Sequence, residues 1–349
     1  MAQENMMPII RDKEYRRIAE IDDYISFIWT KRYYTPGDFE LCAPISKLQF
    51  LEVGNYVFRK YDDYGAIIEK IEIKMTDEAQ EMVVASGRLL ESIIGRRVIS
   101  TQQQITGKVT DGISDLIYDN IVNPAVSARQ ISNFSFSNDS ANVDEIDSQY
   151  IGQNLLDVVS DLCETFHIGM KCRLSPDNEF RFYLYDGVDR SYDQSTNTYV
   201  VFSDEYDNLL NCDYIENIEE MATDVLVGGE GEGTSRTMVW STQEEMSGLE
   251  RYEKFLDASS AVSNDHIITQ ETYEKQLEGL GLAEVTEYTT AFSGEVNFNS
   301  VNFGIDVQVG DIVTIENKRW DIYINTRILE VIESVGEDGR YEIIPTFGI

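Results

Sequence analysis

The chain is poor in positive charge, cysteine, histidine and proline, and it has no long apolar run. Lys and Arg number 28 against 63 Asp and Glu, a formal charge of −35 over 349 residues. Holding the phosphates of DNA or RNA takes clustered Lys and Arg, so this balance argues against nucleic-acid binding. Letting DNA pass is another matter, because an acidic wall keeps it from sticking. No stretch approaches the ~20 apolar residues of a membrane helix. Met1-Ala2-Gln3-Glu4-Asn5 lacks the basic start and apolar run of a signal peptide. Cys42, Cys163, Cys172 and Cys212 show no CxxC spacing. That excludes a zinc ribbon and a disulfide framework and predicts four buried free thiols in a protein made in a reducing cytoplasm. With two histidines in all, triad or Cys-His chemistry would have to use His167 or His266. His167 follows Cys163 by four residues at the end of a predicted helix, where a capping or core role is expected. His266 sits in the polar turn Ser263-Asn264-Asp265, and no HExxH is present.

What the chain does have is the composition of a folded protein, 42% hydrophobic and 11% aromatic. Its length predicts roughly two to four packed units. The acidity serves solubility on the plainest reading. Acid groups also pair by chance in such a chain. Asp186 to Asp189, Asp204-Glu205 with Asp207, and Glu219-Glu220 with Asp224 could each serve a glycosidase or hold calcium. None has EF-hand spacing, and each reads by default as a solvated face or loop tip. Gly228-Gly229-Glu230-Gly231-Glu232-Gly233 superficially suggests a phosphate loop, but it lacks the lysine, and Glu230 and Glu232 would repel the anion. Arg96-Arg97 is a lone basic doublet near a predicted boundary, either a plain surface pair or a partner for a neighbouring subunit's carboxylates. No catalytic, cofactor-binding or metal-binding residue is assigned, and no cofactor is expected.

From Pro8 to Gly87 the pattern is strand after strand. Tyr24 to Trp29 and Asn55 to Arg59 are aromatic and β-branched, and Ile71, Ile73 and Met75 alternate with Glu72 and Lys74 as in a half-buried strand. Tyr33-Tyr34-Thr35-Pro36-Gly37-Asp38-Phe39-Glu40-Leu41 places a Pro-Gly turn before a strand. Helical spacing follows at Lys108 to Val122, stopped by Asn123-Pro124, and again at Gln153 to Phe166. The polar stretch Ser132 to Gln149 between them predicts an exposed loop. Gly169 to Cys172 and Phe180 to Tyr185 predict a hairpin, Ile215 to Val227 strands, and Gln270 to Leu280 a last helix. The final fifty residues are a β-meander. Gly310-Asp311 leads into a strand in which Ile312 and Thr314 face one way and Val313 and Ile315 the other. Trp320 to Ser334 and Tyr341 to Ile349 follow, joined through Glu337-Asp338-Gly339, whose Asp-Gly supplies the positive φ of a tight turn. The fold class is therefore α+β, mostly β. Gly37-Asp38 and Gly310-Asp311 mark a weak internal repeat.

This ending resembles the C-terminal barrel of a bacteriophage tail-hub family: the siphophage baseplate hubs and the N-terminal part of tail-associated lysins, related in fold to the baseplate hub of contractile tails. The Tyr33 to Leu41 stretch resembles the same family, in which an aromatic residue and Gly-Asp-Phe lead into the second strand of the first barrel. So does the Gly-Glu run followed by Arg236, which there marks a crossover between barrels. The resemblance implies two tail-tube-like β-barrels flanking an α+β insert: 1–95 as the first barrel, completed by 205–235; 96–204 as the insert; 236–349 as the second barrel with one helix. It implies a non-enzymatic structural hub, a homotrimeric ring at the distal end of the tail tube that forms the channel for tape measure protein and DNA. A closed ring joining a six-fold tube to a three-fold tip needs one subunit to offer two tube-like surfaces. The implied partners are a distal tail protein or tail tube ring, the tape measure protein, and tail fibre or spike proteins, with localisation in the virion at the tail tip. DNA would pass without specific binding, and three copies of −35 would bring −105 to the ring. Lysins of this family often carry a peptidase or muramidase after the hub; here the barrel pattern runs to Ile349, so such activity is expected to be absent or supplied by another protein. Alternatives are the hub of a phage-like injection machine, a cell-wall-degrading hydrolase using two carboxylates, and a carbohydrate-binding adhesin suggested by 20 Tyr and 3 Trp.

Overall fold

The computed structural model describes residues 6–75, 81–219, 221–259, 269–286, 289–296 and 301–348, with the backbone alone at 210–213 and 289–295. His266 and Glu220 lie outside the described residues, as does the side chain of Cys212. Two compact units emerge: Met1–Cys212 with Ser293–Ile349, and Asp213–Phe292.

The first unit is built around a sheet that joins the two ends of the sequence. The strands Ser26–Arg32, Asp38–Pro44, Glu81–Arg88 and Lys70–Met75 lie side by side in that order, each antiparallel to the next. Ser26–Arg32 then pairs not with its own block but with the long C-terminal strand Ile322–Val335. One edge of that strand serves two partners in succession, Ile312–Asn317 along its first half and Ser26–Arg32 along its second. Its other edge takes Tyr341–Gly348. Fourteen residues make this possible, since ordinary strands of five or six would be used up by one neighbour. The chain is thus mostly β with a few helices, as the alternation predicts. Closed barrels do not form among the described residues: the sheet runs as an open path that ends at Lys70–Met75.

Period-two alternation puts Phe27, Trp29, Phe39, Leu41, Val83 and Ala85 on one face, all buried. Trp29 sits between Phe27 and Phe39, with ring centroids at 5.8 and 6.0 Å. A small sheet ordered Arg17–Glu20, Pro8–Arg11, Tyr56–Arg59, Gly65–Ile67 adds Ile10, Val57 and Ala66 to the same core. Ile73 and Met75 depart from expectation. They are 59% and 67% exposed, because their strand is the last of the sheet and none of the described residues covers that part of it.

A second core forms where helix α1 (Val109–Ile117) and helix α2 (Leu155–Thr165) pack on the sheet Phe134–Asn138, Phe180–Tyr185, Gly169–Leu174. Val109, Ile113, Leu116 and Ile117 are the buried stripe of α1, which runs on as a π-turn over Tyr118–Val122 before Asn123-Pro124 ends it. Asn154 caps α2: its Oδ1 accepts from Leu156 N at 2.9 Å and its Nδ2 donates to the Gly95 carbonyl at 2.8 Å. Asn154→Ala should therefore cost about 1 kcal/mol in chemical denaturation. The predicted loop Ser132 to Gln149 is a correction. Phe134–Asn138 runs parallel to Phe180–Tyr185, and Glu145–Tyr150 pairs with Gln103–Lys108. In the latter, Ile146, Ser148 and Tyr150 alternate half-buried against exposed Glu145, Asp147 and Gln149, a period masked by its acidic residues.

In the second unit, helix α3 (Gln270–Leu282) lies on a sheet ordered Met238–Thr242, Asp224–Gly228, Glu253–Asp257. Val225, Val227, Tyr273 and Leu277 form its core. Gly281 is required there: a Cβ would lie 2.2 Å from Ser241 Oγ, which donates to the Glu278 carbonyl at 2.9 Å.

Candidate functional site

Four charged side chains meet inside the first unit. Arg59, at the end of its strand, donates from Nη2 to Glu333 Oε1 at 2.7 Å and from Nε to Asp62 Oδ2 at 2.9 Å. Lys31 Nζ lies 2.8 Å from Asp62 and 3.6 Å from Glu333. Tyr341 donates its hydroxyl to the second Glu333 oxygen at 2.8 Å, and the Arg59 guanidinium lies over the Trp29 ring at 5.2 Å. Burial alone would raise the Asp62 carboxyl, but Lys31 and Arg59 outweigh it and hold it well below its usual range; Glu333 is lowered against burial by the same two cations. The cluster ties three distant stretches of sequence together: Lys31, the Arg59 to Asp62 turn, and Glu333.

Beside it opens a cavity of about 220 Å³, lined among others by Lys31, Asp62, Tyr64, Lys171 and Glu333. Lys171 Nζ is 3.9 Å from Asp63 and 4.2 Å from the centre of the Tyr64 ring, and burial disfavours its charged form. Glu91 is 2% exposed. Its Oε1 accepts from Cys172 N at 3.0 Å and its Oε2 has no partner. Burial pushes its carboxyl up to about 7.

A second joint is centred on Tyr33. Its hydroxyl donates toward the carbonyls of His167 at 3.2 Å and Tyr185 at 3.3 Å and accepts from Gly187 N at 3.1 Å. Gly310 has φ +98°, and a Cβ there would lie 2.3 Å from the Tyr33 ring, which explains the glycine that opens the terminal meander. Asp311 accepts from Val188 N at 2.8 Å and Gln308 N at 3.0 Å, and pairs with Arg190 at 2.8 Å. His167 sits past the end of α2 at φ +56°, its Nδ1 3.0 Å from the Tyr34 hydroxyl, and burial followed by Arg327 lowers its pKa.

The other residues singled out in the sequence are dispersed. Cys42, Cys163 and Cys172 are free and buried. Asp186 accepts from Ser140 Oγ at 2.6 Å and Ala141 N at 2.7 Å, Asp189 from Ser191 N at 2.8 Å, and Lys318 approaches Glu205 at 2.5 Å. Asp224 is buried with Arg251 and Thr223. These acids are engaged by donors instead of facing one another. Among the described residues no group of three His, Cys, Asp or Glu is placed to hold a metal, and no helix is long and apolar enough to cross a membrane. The Gly-Glu run takes the plainer of its two readings, a turn, and not the crossover that the resemblance implies. It links two adjacent strands of the second unit's sheet, Asp224–Gly228 and Met238–Thr242. Arg236 closes it by donating to the carbonyls of Gly228 at 2.8 Å and Gly229 at 3.0 Å. The outer face of that sheet presents the row Trp240, Leu226, Phe255, with Arg251 over the Trp240 ring at 4.8 Å and Arg236 over Phe255 at 5.6 Å.

The charged cluster was not foreseen. Lys31 after Trp29, Arg59 after Phe58 and Glu333 after Ile332 are charges inside apolar strand patterns, a signal diluted in a chain with 26% charged residues. The arrangement clamps strands together through its ion pairs and hydrogen bonds.

No curated protein sequence matches the chain. Among solved structures, the tail protein from Neisseria meningitidis MC58 superposes with a TM-score of 0.60 at 12% identity, covering 98% of this chain and 96% of that one. Prophage tail protein gp18 from Listeria monocytogenes EGD-e gives 0.57 at 11%, covering 98% and 94%. The 43 kDa tail protein of prophage MuSo2 from Shewanella oneidensis gives 0.56 at 11%, covering 97% of each. At such identities the likeness is one of fold. The model of the Siphovirus ReqiPepy6 Gp37-like protein family matches residues 8–349, so the chain belongs to this family.

Proposed function

We propose that the chain is a non-enzymatic hub, forming a trimeric ring at the distal end of the tail tube and adapting a six-fold tube to a three-fold tip. The observation that carries this reading is the antiparallel pairing of Ser26–Arg32 with Ile322–Val335. It fuses the two strand-rich ends of the chain into one sheet, so a single subunit can hold two tube-facing surfaces in fixed relation, which the symmetry change requires. The charged cluster and the Tyr33 joint reinforce the same fusion. The ring would dock on the last tube ring or a distal tail protein, carry fibre or spike proteins, and leave a channel for the tape measure protein and then DNA. The net charge of −35 keeps that channel from binding what traverses it.

Electron-microscope class averages of the concentrated protein test this directly. The expected result is a three-fold ring with an opening wide enough for duplex DNA. Averages showing two-fold particles, or a ring with no opening, count against the hub.

A further inference from the structure

Arg96, Arg97 and Arg129 gather at the surface of the first unit, on a chain whose formal charge is −35. None of them makes an ion pair among the described residues; their hydrogen bonds go to neutral acceptors. Arg97 donates from Nε to the Arg129 carbonyl at 2.8 Å and from Nη1 to the Arg96 carbonyl at 2.9 Å. Arg129 donates from Nη2 to the Val98 carbonyl at 2.5 Å and to Asn120 Oδ1 at 3.1 Å, and from Nη1 to Ser100 Oγ. Asp119, next to Asn120, is taken by Gln103 Nε2 at 2.7 Å. Burial, then Arg129, then Arg96 disfavour the charged form of Arg97, which stands between two like charges. Val98 and Val126, in the same segments, are 50% and 58% exposed. Exposed apolar groups beside guanidinium groups fixed in place make an interface composition.

We propose that this arginine patch is where one copy of the chain receives an acidic surface of a second copy, head to tail. The charge pattern decides the geometry. Two such patches cannot face each other across a two-fold axis, since six like charges would meet, whereas the 63 Asp and Glu of the chain leave acidic surface elsewhere to complement the patch. A contact between unlike surfaces is heterologous, and a heterologous contact that closes makes a ring. The inference rests on the trimer reading and supplies it with a contact.

Sedimentation of the full chain tests it, comparing wild type with Arg96→Glu, an exposed position whose side chain anchors no loop. The variant should melt like wild type, as a surface substitution does. It should assemble about tenfold more weakly at low salt. The gap should close near 0.5 M salt, where screening removes the attraction. Assembly that is equal in both proteins at every salt concentration overturns the patch while leaving the ring intact. Monomers at every concentration and salt overturn the ring and the patch together. Arg129→Gln, which removes charge without reversing it, should fall between wild type and Arg96→Glu; wild-type assembly there also counts against the patch.

Discussion

Arg59→Met should destabilise the protein by about 3–5 kcal/mol, seen as a lower denaturant midpoint at neutral pH. Met keeps much of the volume, so the loss is electrostatic. Asp62 and Glu333 have side chains only 9% and 6% exposed, and without the guanidinium they share the single ammonium of Lys31. Two buried carboxylates facing one cation is the costly arrangement. Replacing the group as a set should behave differently. Lys31→Met and Arg59→Met with Asp62→Leu and Glu333→Leu leaves no charge buried without its partner and should recover most of the loss, because well-packed apolar residues often match a buried ion cluster. If the single and quadruple variants are equally unstable, packing and not charge holds this junction.

Glu91→Gln should stabilise the protein at pH 8 by about 3 kcal/mol and flatten the pH dependence of stability between pH 5 and 8. The carboxyl is raised from an ordinary 4.5 to about 7 in the native state, by burial first and foremost. Below the unfolded value both states are protonated and nothing is lost. Between the two values the unfolded chain releases its proton while the native one keeps it, so stability falls as pH rises and levels off above about 7. The groups around Glu91 do not cancel this: the Cys172 amide and Lys171 lower its pKa and Asp62 raises it, with burial larger than any of them. Asp62 and Glu333 work in the opposite sense. Their native pKa values are depressed, so their contribution is present above the ordinary carboxylate range and is lost as pH falls through it. Wild type should therefore be most stable near pH 5, and Glu91→Gln should move that optimum toward neutrality. An unchanged slope in the variant would place the titrating group elsewhere.

Much of the fold was legible because its signals are local. The terminal meander, α1 and α2, the Asp-Gly turn with Gly339 at φ +72°, and the Tyr33 to Leu41 stretch all emerged where alternation, helical spacing or turn chemistry placed them. The rest depended on partners that no window of sequence contains. Glu145–Tyr150 is a strand because Gln103–Lys108 is there to pair with it, and its own residues read as a loop. Ile73 alternates as a buried residue would, yet the sheet ends at its strand. Gly310 was visible as a strand opener, but its reason, the Tyr33 ring, is far away in sequence. The same holds for Arg59 and Glu333, whose side chains meet across 274 residues.

The pairing of the first and last strand blocks also sets an order on biosynthesis. Arg32 and Glu330, which meet in that sheet, are 298 residues apart. At roughly 5–20 residues per second, the ribosome takes on the order of 15–60 s to make the chain between them. Through that interval the Ser26–Arg32 strand has an open backbone edge beside Phe27 and Trp29, the kind of surface that pairs promiscuously. So long a loop also closes slowly once its ends exist. The nascent chain therefore cannot complete its principal sheet until Ile322–Val335 has been made, and the slow phase of refolding in vitro should report the arrival of that strand.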